Sequence, residues 1–561
     1  MNIHIREEYD AIVVGSGMAG GMAAKELCEK GLKTLVLDRG VPFEHGTSFV
    51  TEHKQPFELP RRGRVPLEEQ ASQYEIQSKV YLFDEATKHL FVKDSEQPYV
   101  QEKPYDWIRA NQVGGRSLMW ARQTYRWGPQ DFEANLKDGH GVDWPIRYED
   151  IAPWYDYVEK FVGVSGQAEG LSQLPDGMFL SPMEMTAVEK HAKKQIEVTF
   201  PDRTMTIGRC AVLTEELNGR APCHYCGECE RGCSTRSYFS AVSVSLPAAA
   251  ATGNMTLQAN SIVHSVIYDA QNDRAAGVRV IDSLTGEMTE YYSKIVFLAA
   301  SCLGTTQIML NSKDSRFPDG IANGSGTLGR YLGDHHMGID AQGFTDDFDD
   351  RYYTGSRPNG IYIPRFRNLD AASRRSDYVR GFAYQGSSWR AGAGRGAYQE
   401  GLGEDLKTRL RDPGPWEMQL WGYGETLPRY ENHCRLSADQ TDQWGMPLLI
   451  LSADFGENEL AMRKDCAECA QEMMESAGFR DVSVKDNLES NPHGLSIHEM
   501  GTARMGRDPR TSVLNSFNQA HEVSNLFVTD GACMTSTAVQ NPSITYMALT
   551  ARAVDYAVKQ L

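Results

Sequence analysis

Four cysteines fall within eleven residues, Cys223-His224-Tyr225-Cys226-Gly227-Glu228-Cys229-Glu230-Arg231-Gly232-Cys233, with the spacing C-x2-C-x2-C-x3-C. This is the ligand run of bacterial ferredoxins, and thiolates so close in a glycine-containing loop can converge on one metal centre. A structural zinc site usually pairs two separated C-x2-C elements, so one tight run favours an iron–sulfur cluster, with zinc or a disulfide pair as alternatives. Ser234 stands where a proline usually follows the fourth cysteine, and no second run exists. Either Cys233 closes a four-iron cluster, the favoured form, or only three of the four thiolates bind, as in a three-iron cluster. Cys466 and Cys469 also read C-x2-C, but they fall in an expected helix, Glu457–Ala477, where packing is the simpler account.

A second chemistry-bearing pattern lies near the N-terminus. Tyr9–Ser16 is a short apolar run without polar alternation, as for a strand buried on both faces of a parallel sheet. It feeds Gly15-Ser16-Gly17-Met18-Ala19-Gly20, then a helix over Gly21–Lys30 ending at Gly31. A second strand, Lys33–Leu37, closes on Asp38, about 20 residues past the glycines, where a dinucleotide fold places an acid on the ribose hydroxyls. The three glycines serve a tight turn, close approach to a pyrophosphate, and helix packing. Gly15, Gly17, Gly20, Asp38 and Arg39 are the candidate contacts; an empty glycine-rich turn is the alternative, and the motif leaves NAD and FAD open. Asn111–Trp120 adds Gly114 and Gly115 beside Ser117, where small residues let backbone N–H groups approach a flat ring or a phosphate.

The C-terminal region carries Ile497-His498-Glu499-Met500-Gly501-Thr502-Ala503-Arg504-Met505-Gly506, then Asp530-Gly531, then Asn541-Pro542-Ser543-Ile544-Thr545 before a last helix. Together these stretches resemble the C-terminal signature of the glucose-methanol-choline (GMC) flavoprotein oxidoreductases. The resemblance extends to the N-terminal turn and to Asn111–Trp120, and is weakest in the middle third. It implies FAD, an active-site histidine at His498, and a partner at Asn541, where family members carry His or Asn. A lone histidine is more often structural, and the downstream motifs shift that balance. His493 has the wrong spacing to Gly501-Thr502 and is read as support or surface. Members that bind FAD covalently carry a histidine where Leu118-Met119 stand here, so non-covalent FAD is expected.

Alcohol oxidation removes a hydroxyl proton and passes hydride from the same carbon to the flavin. It needs a base neutral near pH 7 and a group holding the oxygen. An ordinary histidine titrates at about 6.5 and can accept that proton. Asn541 cannot be the base; its amide donates to the oxygen. Asp530, Gly531, Pro542 and Ser543 would meet the ribityl and pyrophosphate end of FAD or hold its ring system.

Within the family, the His–Asn pair, the missing linkage histidine and the inserted cysteines look most like bacterial FAD-glucose, glucoside 3-dehydrogenase and gluconate dehydrogenase subunits. That implies a carbohydrate substrate, oxidation at C3 of a glucoside, and electrons leaving through the cluster to a cytochrome or other carrier. It also implies a small signal-bearing subunit. Gluconate or another aldonate, and an oxygen-using pyranose oxidase, are the runners-up. A zinc-stapled flavin-binding protein without catalysis is the non-enzymatic alternative.

The elements that must position these residues form an α/β (α+β overall) fold. A Rossmann-like FAD-binding domain is expected over 1–45, 105–140, 205–337 and 490–561. A substrate domain with an antiparallel sheet and lid is expected over 46–104, 141–204 and 338–489. Strands are expected at Met255–Ala259, Ala276–Ile281 and Lys294–Ala300, the last leading through Ser301–Thr305 into a helix to Asn311. A helix capped by Asp150 should run to Val162. Gly386–Gly403 reads as a loop, and Arg435–Leu436 to Leu448–Ser452 as the sheet roofing the flavin, with Trp389, Trp416 and Trp421 as loop-borne sugar-stacking candidates, although each alone is more often core or surface.

Length and charge agree. A chain of 561 residues suggests two or more domains, and its 57 basic against 75 acidic residues give −18, which disfavours nucleic acid and anionic membranes. No leader and no apolar run of the roughly 18 residues needed to span a bilayer is visible. The chain alone reads as cytoplasmic, and co-export with a signal-bearing partner would place it in the periplasm.

Overall fold

The computed structural model describes residues 4–352, 355–397 and 399–561. The strand His4–Val14 lies at the centre of a seven-stranded sheet, paired in parallel with Thr34–Leu37 on one side and Met288–Leu298 on the other. Met255–Gln258 extends the parallel part beyond Thr34–Leu37, and Leu526–Val528 joins Met288–Leu298. An antiparallel extension, Arg274–Asp282 and Ser261–Asp269, completes the sheet. Ala11 to Val14 are wholly or almost wholly buried, as an unalternating apolar strand in a covered parallel sheet must be. The chain's two ends meet here, because the helices Met18–Glu29 and Ser543–Val558 pack on each other.

A second sheet of six strands is antiparallel throughout, in the order Arg480–Asp486, His336–Thr345, Trp416–Gly424, Phe382–Arg390, Ile361–Ile363, Thr206–Ile207. Its alternation is plain in Trp416–Gly424. Trp416, Met418 and Leu420 are buried in the core formed with the helix Glu457–Ser476, while Gln419, Trp421 and Tyr423 stay partly exposed on the other face. A five-stranded sheet runs Met500–Thr502, Arg330–Gly333, His433–Thr441, Pro447–Ser452, Val100–Gln101. Among the described residues no helix is long and apolar enough to cross a membrane.

Several expectations need correction. The antiparallel pair at 433–452 exists, but it belongs to the five-stranded sheet; the six-stranded sheet is the roof. Gly386–Gly403 is not one loop, since its first residues continue the strand Phe382–Arg390. Trp389, Trp416 and Trp421 all sit on strands rather than loops, and Trp416 is buried at 1% exposure. The helix expected from Asp150 is Tyr148–Val162, with Asp150 inside its first turn, accepting from the Arg147 N–H at 2.8 Å. The strand Ser261–Asp269 was not anticipated. Cys466 and Cys469 are buried on the helix Glu457–Ser476, as packing residues.

Gly20 shows how tightly the nucleotide-binding turn packs. A Cβ there would stand 1.9 Å from the Gly15 carbonyl oxygen, which no side chain can occupy. Gly20→Ala is expected to cost about 2 kcal/mol or more, read as a lowered midpoint in thermal or urea unfolding. An unchanged midpoint would contradict this packing.

Candidate active site

Between the seven-stranded sheet and the six-stranded roof lies a cavity of about 820 Å³. Of the expected cofactor contacts, Gly15, Gly17, Asp38, Arg39, Gly115, Ser117, Asp530, Gly531, Pro542 and Ser543 line it, together with His498 and Asn541. Gly20 and Gly114 are not on its wall. Gly20 packs against Gly15, and Gly114, at φ +90, makes the turn that hands its N–H to the Ser16 hydroxyl at 2.8 Å. Ser16 in turn donates to Asp38 through both its N–H, at 3.0 Å, and its hydroxyl. Asp38 also accepts from the Gly40 N–H at 2.8 Å, so its carboxylate braces both turns as well as facing the cavity. Arg39 reaches Asp442 at 4.0 Å and lies over the Trp444 ring.

This chamber fits a dinucleotide. A Cβ on Gly17 would meet only the Gly114 carbonyl oxygen, at 3.9 Å, and one on Gly115 only the Gly17 Cα, at 3.8 Å. Both small residues leave open space for a ligand against bare backbone. On the far wall Asp530 is held by the Thr305 hydroxyl at 2.5 Å and the Ala532 N–H at 2.9 Å, and burial pushes its pKa up to about 6. Where a covalent linkage would need histidine, Leu118 is buried and Met119 faces the cavity.

His498 and Asn541 meet on the cavity wall. His498 Nε2 lies 3.2 Å from Asn541 Nδ2, and Asn541 Oδ1 accepts from Gln385 Nε2 at 2.7 Å. On its other side His498 Nδ1 lies 2.9 Å from Nδ1 of His335, whose Nε2 is 3.0 Å from the Thr537 carbonyl oxygen. The loop bearing His498 is tied to Asp334, which accepts from the N–H groups of Gly494 at 2.7 Å, His335 at 2.9 Å and His498 at 3.1 Å, and from the Ser496 hydroxyl. Desolvation, then the neighbouring His335 and Arg116, hold the His498 pKa well below the usual histidine value. Burial lowers that of His335 to about 4. Both imidazoles are neutral at pH 7, the state a general base requires.

His335, Asp334 and Gln385 escaped the sequence reading. The only signal was the polar triplet Asp334-His335-His336 between two apolar stretches. His493 is not on the surface; it is buried, stacked on Phe455 with centroids 4.0 Å apart, and burial lowers its pKa to about 4. From the roof, Gln385, Ser387, Trp421 and Tyr423 face the cavity, so Trp421 alone of the three tryptophans reaches it.

The cysteine loop stands beside this chamber. Cys223, Cys229 and Cys233 pack around Cys210 and Tyr238 with Trp120, which also lines the cavity. Tyr238 donates its hydroxyl to the Ser117 carbonyl oxygen at 3.1 Å. Cys226 is exposed, its backbone paired with that of Ser356, and among the described residues no group of three or more ligating side chains is gathered for a metal. The loop as folded here does not present a closed four-thiolate site.

Fold and site together define an FAD-dependent oxidoreductase. Residues 9–337 and 428–550 match the two family profiles described as GMC oxidoreductase, and the chain belongs to that family. It is 27% identical to 2-methyl-1,2-propanediol dehydrogenase of Mycolicibacterium austroafricanum, over 98% of this chain and 95% of that protein. It is 25% identical to the fructose dehydrogenase large subunit of Gluconobacter japonicus, over 98% of each. The structure of pyridoxine 4-oxidase from Mesorbium loti shares the fold with a TM-score of 0.61 at 15% identity, covering 98% of this chain and 99% of that one.

Since a Cβ on Gly17 meets the fold only at 3.9 Å but projects into the cavity, Gly17→Val should unfold within about 1 kcal/mol of the parent yet purify without flavin colour. A yellow, fully loaded variant would contradict this placement.

Proposed function

We propose that the chain is an FAD-dependent dehydrogenase of a neutral sugar, oxidising a secondary hydroxyl of a pyranoside, C3 of a glucoside, to the ketone. One observation carries the choice of a neutral substrate. Among the described residues every cation on the cavity wall already faces an acid: Arg39 with Asp442, Lys79 with Asp106, Arg109 with Asp94, Arg116 with Glu499, Arg122 with Glu230 and Arg357 with Glu189. An aldonate carboxylate would find no free positive partner among them, whereas Gln385, Ser387, Trp421 and Tyr423 offer the amide, hydroxyl and aromatic faces that suit a sugar ring. The C3 position is supported by family resemblance and by no particular residue. The similarity to a fructose dehydrogenase subunit and to a diol dehydrogenase supports an alcohol substrate.

In this reading bound FAD supplies the hydride acceptor. His498 Nε2 takes the hydroxyl proton as the carbonyl forms, and Asn541 Nδ2 donates to the substrate oxygen and holds it beside the base. Gln385 keeps the Asn541 amide turned so that Nδ2 faces inward. The roof sheet excludes water. Segments 1–45, 105–140, 205–337 and 490–561 hold the FAD non-covalently; 46–104, 141–204 and 338–489 enclose the sugar.

The reading extends to an iron–sulfur cluster on Cys223, Cys226, Cys229 and Cys233, passing electrons to an external carrier, with a small accessory subunit and co-export to the periplasm. Its support is the ferredoxin-like spacing and the three thiols packed with Trp120 at the cavity wall; Cys226 would have to turn inward. Anaerobically purified protein should contain about three to four iron atoms per chain with matching acid-labile sulfide, and Cys229→Ser should lose them. Stoichiometric zinc, or no metal, would refute the cluster.

Because the folded pKa of His498 is depressed, its neutral form persists as pH falls through 6.5. Flavin reduction by methyl glucoside, followed by stopped flow, should stay level from pH 8 to 6, and His498→Ala should slow it at least about 100-fold. A rate halving near pH 6.5, or full reduction in the variant, would refute this role.

A further inference from the structure

Thr537, His335, His498, Asn541 and Gln385 form one continuous hydrogen-bonded chain, and its two ends differ in kind. At one end stands a backbone carbonyl oxygen, which can only accept. It is fixed in place because the Thr537 hydroxyl and the Thr426 backbone bond each other in both directions. The His335 ring nitrogen facing that oxygen, Nε2 at 3.0 Å, must therefore carry a proton. His335 is 2% exposed, and a second proton on its ring would bury an unpaired charge. Its Nδ1 is thus a bare lone pair, 2.9 Å from His498 Nδ1. Two lone pairs cannot face each other at that distance, so the proton between the rings belongs to His498 Nδ1. With the ring centroids 4.9 Å apart and the facing nitrogens 2.9 Å apart, both nitrogens lie close to the line between the rings, whose planes are twisted by 74°, which suits an in-plane N–H aimed at an in-plane lone pair.

We infer that His335 is a positioning residue that locks His498 in the Nδ1–H tautomer and leaves His498 Nε2 unprotonated toward the cavity. A free neutral histidine prefers the opposite tautomer, with its proton on Nε2, in which the ring atom facing the cavity could not accept a proton. Asn541 reads the same polarity: its Nδ2 donates toward the bare Nε2 at 3.2 Å while its Oδ1 takes the Gln385 proton. The orientation of the whole chain is thereby set by the Thr537 carbonyl, and His335 is the link that transmits it. A base held in the wrong tautomer loses its function even when its geometry is intact.

The inference rests on the reading of His498 as the base, and the test separates the two. Protein labelled with 15N at histidine is examined by two-bond 15N–1H correlation at pH 7.5, the His498 pattern being the one that His498→Ala removes. The expected pattern is a neutral ring protonated on Nδ1. In His335→Leu it should shift toward Nε2–H, and flavin reduction by methyl glucoside should slow at least about tenfold, with little change in the sugar concentration giving half-maximal rate. In His335→Asn a side-chain oxygen can again accept from His498 Nδ1, and most of the rate and the Nδ1–H pattern should return. A parent His498 protonated on Nε2 would overturn the inference without any variant having to fold. So would a His335→Leu variant reducing at the parental rate while His498→Ala is inactive. If His498→Ala reduces normally, the base assignment fails, and the tautomer pattern still decides where the proton sits.

Discussion

Asp334 is wholly buried, and its carboxylate gathers four donors, three backbone N–H groups and the Ser496 hydroxyl. A buried carboxylate without such partners would cost several kcal/mol. Here burial and the nearby Glu499 push its pKa up to about 7 while the Ser496 hydroxyl and the Gly494 and His335 N–H groups pull the other way. What those bonds hold is the loop Gly494–His498, in which Ile497 adopts φ +64. That conformation is strained for a β-branched residue, and it is the turn that presents His498 to the cavity. Asp334 and His335 occupy the two-residue step between the strands Arg330–Gly333 and His336–Thr345, which belong to different sheets. One junction thus joins the two sheets, clamps the His498 loop and supplies the ring against which His498 rests.

The cavity follows the same logic of satisfied polar groups. Its cations are matched by acids and the Asp38 carboxylate is shared between two glycine turns. Its imidazoles are neutral because the surroundings are too dry to stabilise their charge. Away from the glycine turns, such a chamber offers a charged substrate no unpaired cation among the described residues. Its open functions are a bare ring nitrogen, amides and aromatic faces.

Much of this was legible in the amino-acid order because local rules dominate at the places concerned. Strand, glycine turn, helix and terminal acid over Tyr9–Asp38 are tied to one another by short-range geometry, and every element appears within a few residues of its expected bounds. His498 and Asn541 were legible through flanking motifs, and they do meet. Asp334, His335 and Gln385 were not, because their roles arise from contacts with residues 156 to 202 positions away. The roof was assigned to the wrong pair of strands for a related reason. Alternation identifies a half-buried strand but not which of two sheets it joins, and Phe382–Arg390, with glycine at 386 and serines at 387 and 388, hid its period behind small residues. The cysteine run shows the reverse limit: spacing marks four candidate ligands, while the fold packs Cys223, Cys229 and Cys233 against the core around Cys210 and Tyr238 without gathering three ligands at one point among the described residues, and leaves Cys226 exposed.

The most direct test of the account is the visible absorption spectrum of the anaerobically purified protein before and after addition of methyl glucoside. The account predicts flavin bands that bleach on addition of this uncharged sugar. Flavin bands that persist with methyl glucoside and other neutral pyranosides but bleach with gluconate, or no flavin bands at all, would contradict it.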